Sequence, residues 1–375
     1  ALRCGLTFVP ISSKLTAREA AFILRDSGAK GLVLSDGVEV TIDAIADHCP
    51  DLTLYRVGGD LPGARSWDRL CAERPATPVQ DARRGKAMLY SSGTTGRQKG
   101  IVHGGGEGVG DVITSSMRFV ARIGGGAHST YLSTAPLYHA APLGFALAVI
   151  EAGGKVVVME HFDPEQALRL IERHRVDISQ WVPTHFVRML KLDEGIRRAY
   201  DLSSLRMAVH AAAPCPVPVK HAMIAWWGPI LLEFYGSTEQ TALTLIDSQE
   251  WLAHEGSVGR CHVGTIHICD DEGRELPVGE VGNVFCEGGL DFAYLGDAER
   301  TRTAHHPKGW TTVGDIGRLD AEGYLYLTDR KNFMIISGGV NVYPQEIEDL
   351  LVTHPQVVDA AVIGVPDEDL GEAVT

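Results

Sequence analysis

Apolar positions in this chain change period from one segment to the next. Thr16 and Glu19 stand three apart ahead of "AREAAFILRDSG", a capping box followed by an amphipathic helix that Gly28 closes. "GLVLS" (31–35) then presents the short apolar run of a buried strand. The alternation returns further on. "KVVVME" (155–160) reads as a strand. Asp163 and Pro164 open a helix carrying Ala167, Leu168, Leu170 and Ile171, and "DISQWVP" (177–183) is the next strand. Strand–helix–strand units of this length predict an α/β fold with a largely parallel sheet. Beyond about residue 255 the texture shifts to short β runs split by "DDEG" and "PVG" turns, which predicts a β-rich antiparallel subdomain. "GRLDAEGYLYLTDR" adds a hairpin turning at Asp320 to Gly323. A helix over Pro344 to Val352 and a strand "DAAVIGV" (359–365) follow.

Length and charge narrow the field. A chain of 375 residues is long for one hydrophobic core, so at least two domains or subdomains are expected. A formal charge of -14 argues against nucleic acid as a main partner, so any anionic ligand needs a local site. The seven cysteines, at 4, 49, 71, 215, 261, 269 and 286, have no zinc-type spacing and suggest no disulfide framework, which fits a reducing cytoplasm. The longest apolar run, Leu143 to Ile150, is too short to span a bilayer. There is no internal repeat. The chain opens without methionine on "ALRCGLTFVPIS", as if in mid-element, and reads as a piece of a longer protein.

Candidate chemistry starts at "YSSGTTGRQKG" (90–100). Glycines let backbone N–H groups approach an anion, the Ser and Thr hydroxyls add neutral donors, and Lys99 adds charge. A polyphosphate is the sensible ligand. The spacing is not that of a Walker A loop, because Gln98 stands where its second glycine should be. Read alone, the stretch also admits the plainer reading of a Gly/Ser loop with no ligand.

It does not stand alone. "EFYGSTEQ" (233–240), "APLYHAAP" (135–142), "RELPVGEVG" (274–282) and "GWTTVGDIGRLDAEGYLYLTDRKNFMIISGGVNVYPQEIE" (309–348) accompany it in order. Together they resemble the adenylate-forming (AMP-binding) superfamily over nearly the whole chain, and "DRK" with "ISGGVNVYP" is closest to its acyl-CoA synthetase branch. The resemblance implies a large N-terminal domain of parallel-sheet α/β subdomains plus a distorted β-barrel, residues 1–330 with the β-rich part at about 255–330. A small α+β C-terminal domain begins at 331. The resemblance also implies a two-step reaction: a carboxylate attacks the α-phosphorus of ATP to give acyl-AMP and pyrophosphate, and coenzyme A then takes the acyl group.

Site roles follow from the same resemblance. Ser91, Ser92, Gly93, Thr94, Thr95, Gly96 and Lys99 would cover the β and γ phosphates, with Gln98 in place of the usual proline. Glu239 would hold Mg²⁺, which suits one carboxylate plus phosphate oxygens. Thr238 would donate to the α-phosphate, and Gly236 and Ser237 belong to the same turn. Tyr235 would stack on adenine, with Ala212, Ala213 and Leu327 around the base, although Tyr235 also reads as a core residue. Asp315 would accept from both ribose hydroxyls with Arg330 opposite; the alternative is a plain Asp315–Arg330 ion pair. His139 would stand at the mouth of the acyl site, with Trp181, Val182, Pro183, Thr184 and His210 along an apolar pocket. Asn332 would be the hinge between domains, and Gly338 and Gly339 would border the coenzyme A tunnel.

The apolar pocket suggests a fatty, aryl or steroid-like acid, and nothing in it suits an amino-acid ammonium group. Two other readings stay open: an adenylation domain serving another acceptor, and a non-catalytic nucleotide or acyl binder. The second draws on the expectation that the family's C-terminal lysine lies beyond Thr375. Self-association is left open.

Overall fold

The computed structural model describes residues 1–35, 45, 47–59, 61–77, 80, 82–91, 98–104, 112–331, 333–338, 340–367 and 370–375. They form two units, Ala1–Asp111 with Phe292–Thr301, and Val112–Asp291 with Arg302–Thr375.

In the first unit the helix Ala17–Asp26 starts at the expected capping box. Glu19 N–H donates to Thr16 Oγ1, and Thr16 N–H donates to Glu19 Oε2 at 2.8 Å. Ala20 and Leu24 on its inner face pack with Ile45, and Gly28 ends the helix with a left-handed φ of 64°. Strand Gly31–Leu34 pairs in parallel with Thr53–Arg56. It is an edge strand and Val33 is 49% exposed, which corrects the expectation of a buried strand. Leu89–Ser91, Lys99–His103 and Phe292–Tyr294 form a three-stranded antiparallel sheet in which Ser91 lies opposite Lys99.

The second unit is built on a seven-stranded sheet. Lys155–Val158, Thr130–Ser133, Ile178–Trp181, Met207–His210 and Leu231–Gly236 run parallel in that spatial order; Leu243–Asp247 and Arg260–Val263 extend it antiparallel. Alternation along the strands sends Leu132, Trp181, Ala208 and Leu231 to one face, under helices Pro164–His174, Pro183–Leu190 and Val217–Trp227. Tyr131, Ile178, Val209 and Leu245 go to the other, against Phe119, Phe145 and Val149. Burying a large apolar side chain contributes about 1.5–3 kcal/mol, so both faces stabilise the sheet that carries the site. Asp163 caps its helix by accepting from Gln166 N–H at 2.7 Å.

A four-stranded antiparallel sheet follows: Thr265–Cys269, Gly282–Glu287, Asp315–Leu319 and Leu325–Arg330. Its last hairpin turns where expected. Asp320 Oδ1 accepts from the N–H groups of Glu322 and Tyr324, each at 2.9 Å. The final sheet orders Val340–Val342, Ile335–Ser337, Gly371–Val374 and Gly364–Asp367, with helix Pro344–Val352 beside it in sequence. The expected strand over 359–365 is thus displaced to Gly364–Asp367, and it is paired. Val362 N–H donates instead to Glu348 Oε1 at 2.8 Å, which takes that residue out of the ladder.

Candidate active site

The second unit holds a cavity of about 270 Å³ where the parallel strands end and the antiparallel sheet begins. Three segments build it. The loop after strand Met207–His210 contributes Ala212, Ala213 and Pro214; strand Leu231–Gly236 contributes Glu233 and Tyr235, leading into Ser237; the last hairpin contributes Asp315, Leu327, Asp329 and Arg330. Ala212 has a φ of 83°, a left-handed conformation that costs a side-chain-bearing residue about 1–2 kcal/mol. That strain sits in a residue that lines the cavity.

Asp315 is the centre of the polar wall. It is 5% exposed and lies opposite Arg330 in the strand register. Tyr235 O–H donates to its Oδ2 at 2.6 Å, and Arg330 Nε–H donates to Oδ1 at 3.1 Å. The ion pair weighed from the sequence is therefore present. A carboxylate oxygen can accept two hydrogen bonds, so Oδ1 and Oδ2 retain capacity for a ligand hydroxyl. Burial, and then the Asp315 charge, push the Tyr235 phenol well above its ordinary range, so it stays protonated and donating.

Behind Glu233 lies a buried charge cluster. Lys220, on helix Val217–Trp227, has no exposed surface; its ammonium donates to Glu233 Oε2 and lies 4.7 Å from the ring centroid of Trp251. His210 is Glu233's register partner, with Nε2 3.8 Å from the same oxygen, and neither of its buried ring nitrogens has a hydrogen-bond partner. Burial, then Lys220, hold the imidazole well below its ordinary pKa and hence neutral. Burial raises the Glu233 carboxyl, and Lys220 opposes that rise.

The structure brings Ala212, Ala213, Tyr235, Gly236, Ser237, Asp315, Leu327 and Arg330 to one cavity. Glu239 is buried in the turn that follows Ser237, next to half-buried Thr238. Among the described residues no three His, Cys, Asp or Glu side chains cluster as a metal site of their own. One buried carboxylate, that of Glu239, fits a magnesium ion whose other ligands are phosphate oxygens and water. In the first unit, Ser91 and Lys99 close the ends of the expected phosphate loop as register partners, with Lys99 Nζ 4.9 Å from the Tyr294 ring centroid. Ser92, Gly93, Thr94, Thr95 and Gly96 lie outside the described residues, as do Asn332 and Gly339. Gly338 is described, with a φ of 57° and its N–H donating to Leu370 O.

The expected acyl pocket is corrected in part. Trp181 and His210 have no exposed surface, so neither lines an open pocket here. Trp181 packs edge-on to Trp227 at 5.1 Å and donates from Nε1 to Ser179 Oγ, because strand alternation turns it into the helical core. Val182 and Pro183 start helix Pro183–Leu190, and Pro183 is buried. Thr184 and His139 are exposed; His139 occupies the N-cap position of helix Ala140–Glu151. Sequence reasoning missed Glu233, Asp329, Phe333 and Gln345 on the cavity wall. The signal for Glu233 was available: two residues before Tyr235 on a strand means the same face.

The fold is that of adenylate-forming enzymes. It matches the o-succinylbenzoate CoA synthetase MenE of Bacillus subtilis, solved in complex with the acyl-adenylate intermediate OSB-AMP, with a TM-score of 0.80 and 25% identity over 100% of this chain and 73% of that one. Residues 1–290 match the AMP-binding enzyme family and residues 346–375 the AMP-binding enzyme C-terminal domain. The chain belongs to the AMP-binding enzyme family. Its relatives are acid–CoA ligases. The 3-[(3aS,4S,7aS)-7a-methyl-1,5-dioxo-octahydro-1H-inden-4-yl]propanoyl:CoA ligase of Mycobacterium tuberculosis is 33% identical, over 98% of this chain and 73% of that protein. The long-chain-fatty-acid–CoA ligase FadD13 of the same organism is 34% identical, over 99% and 73%. Among the described residues no helix is long and apolar enough to cross a membrane.

Proposed function

We propose that the chain carries the adenylation site of an ATP-dependent acid–thiol ligase that forms a carbon–sulfur bond with coenzyme A. The observation that carries this reading is the Tyr235–Asp315–Arg330 constellation on a cavity that the strained Ala212 loop also lines. A ring stacks on Tyr235, the loop backbone approaches the edge of a base, and Asp315 grips a ribose.

The substrate carboxylate attacks the α-phosphorus of ATP, and pyrophosphate leaves with the electron pair of the broken P–O bond. The thiolate of coenzyme A then attacks the acyl carbonyl and AMP leaves. A carboxylate nucleophile needs no general base, so the work assigned to this chain is positioning and charge neutralisation. Thr238 would donate to the α-phosphate, and the motif at 91–99 would serve the β and γ phosphates, with Lys99 as the cation. Glu239 would hold magnesium, which supplies further positive charge when bound. His139 orients the acid at the mouth of its pocket, with Val182 and Pro183 nearby, and Gly338 and Gly339 border the thiol's path. Asn332 is the hinge at the start of the small domain from 331.

The relatives named above act on a fused-ring propanoic acid and on long-chain fatty acids, which supports an apolar acid here. A cytoplasmic setting fits the seven free cysteines. The test measures acid-dependent ATP–pyrophosphate exchange, then AMP and acyl-CoA with coenzyme A present, over a panel of fatty, aryl and polycyclic acids. Exchange followed by acyl-CoA formation is expected. Exchange without thioester would favour another acceptor, and no exchange with any acid would leave only a nucleotide or acyl binder.

A further inference from the structure

Lys220 is the least expected residue of this unit: a lysine with no exposed surface in a helix that otherwise buries Val219 and Met223. Removing an ammonium and a carboxylate from water costs several kcal/mol per ion, and apolar residues of similar volume commonly stabilise a fold as well or better. The apolar face around it needs no such pair to cohere. What the pair supplies is a carboxylate held on the wall of the cavity, since Glu233 both touches Lys220 and lines the pocket.

We propose that Lys220 is a positioning residue for the nucleotide site, holding the Glu233 carboxylate ionised and in one orientation on the cavity wall as the acceptor for an N–H of the bound base. This rests on the nucleotide reading of the cavity given above. Several elements pack on the buried side of the carboxylate. Strand Met207–His210 brings His210, the neighbouring loop brings Cys215, helix Val217–Trp227 brings Lys220, and strand Leu243–Asp247 places apolar Ile246 opposite Glu233. Asp349, on helix Pro344–Val352, acts on Cys215. Burial keeps His210 neutral and the Cys215 thiol protonated, which leaves Lys220 as the cation facing Glu233. Without it, burial alone acts on Glu233 and the carboxyl takes up a proton. A protonated carboxyl presents an O–H and loses acceptor strength, so the lysine acts on the ligand through its partner and not by contact.

The experiment measures ATP binding by calorimetry from about pH 6 to about pH 9, a range that avoids ordinary carboxylate titration. It compares the unaltered chain, Lys220→Met, Glu233→Gln and the double variant, with a melting curve for each. The unaltered chain should bind with little pH dependence. Glu233→Gln should bind about ten- to a hundredfold more weakly, as for one hydrogen bond to a charged group, at every pH. Lys220→Met should lose as much at the acid end and recover as pH rises and Glu233 ionises. The double variant should match Glu233→Gln, because Lys220 acts through Glu233 alone. A folded Lys220→Met with unaltered affinity overturns the proposal, as does a pH-independent loss or a double variant whose loss is the sum of the two. If Lys220→Met does not fold, the double variant decides, since it leaves no lone buried ion; weaker binding than Glu233→Gln by more than about threefold then overturns it. If the unaltered chain binds no ATP, the nucleotide reading itself falls before any variant is compared.

Discussion

Replacing Asp315 by alanine separates ribose recognition from structural pairing. The carboxylate is buried and accepts from Tyr235 O–H at 2.6 Å and Arg330 Nε–H at 3.1 Å. The Arg330 side chain is half exposed, so solvent screens its pair to about 0.2–1 kcal/mol. The bond from the Tyr235 hydroxyl is short and charge-assisted, worth about 1.5–3 kcal/mol. Asp315→Ala should therefore cost about 2–4 kcal/mol of stability, readable from urea unfolding midpoints. Losing the ribose contact should weaken ATP by a further about 1.5–3 kcal/mol, which is about ten- to 150-fold in Kd. The deciding assay compares ATP with 2′,3′-dideoxy-ATP by calorimetry. The analogue has no hydroxyls to lose, so its affinity should fall far less than that of ATP. Equal losses for the two nucleotides would refute the ribose role and leave Asp315 as a support for Tyr235 and Arg330.

Three further outcomes are expected. Glu239→Gln keeps size but removes the charge offered to magnesium, so ATP–pyrophosphate exchange should fall by about two orders of magnitude; an unchanged rate removes Glu239 from the metal site. A Cβ at Gly100 would come within 2.9 Å of the Tyr90 ring, whose hydroxyl donates to Asp26 Oδ2 at 2.6 Å. Gly100→Ala should therefore cost about 1–3 kcal/mol, and an unchanged melting temperature would show that the ring moves freely. His185, stacked on Phe162 at 3.8 Å, has its pKa lowered from 6.5 to about 4 by burial, then by Arg188. The unfolded chain takes up this proton first, so the stability His185 contributes is complete above about pH 6.5 and lost as pH falls towards 4, roughly 3 kcal/mol in all. Urea midpoints at neutral and mildly acid pH, with and without His185→Phe, test this; parallel pH profiles would count against it.

What could be read in the sequence was written locally. The capping box at Thr16 and the Asp163 cap each depend on residues three apart, and the Asp320 turn on four consecutive ones. Tyr235, Asp315 and Arg330 were legible because their motifs are short, and the Asp315–Arg330 pair could be weighed, but only the packing of two sheets brings the Tyr235 hydroxyl to Asp315. The Lys220–Glu233–His210 cluster was not legible, since its members come from a helix and two strands and meet only when the strands align. Trp181 was misplaced for a related reason: its aromatic character suited a pocket, but side-chain alternation on Ile178–Trp181 sends it inward. The apolar run at 359–365 looked like a strand, whereas the ladder with Gly371–Val374 covers Gly364–Asp367 and leaves 359–362 outside it. That strand tolerates Pro366 because it lies at the edge of its sheet.

The Lys220 ammonium above Trp251 gives the chain an optical tag that no one has to install. An indole buried at 1% exposure emits in a dry setting, and a positive charge close to its ring biases the energy of its excited dipole. Trp181, Trp226 and Trp227 form a separate aromatic group, so a spectrum differenced between the unaltered chain and Lys220→Met isolates the Trp251 contribution. The colour of that band would then report, in a cuvette and without any ligand, whether the charge behind the cavity wall is in place.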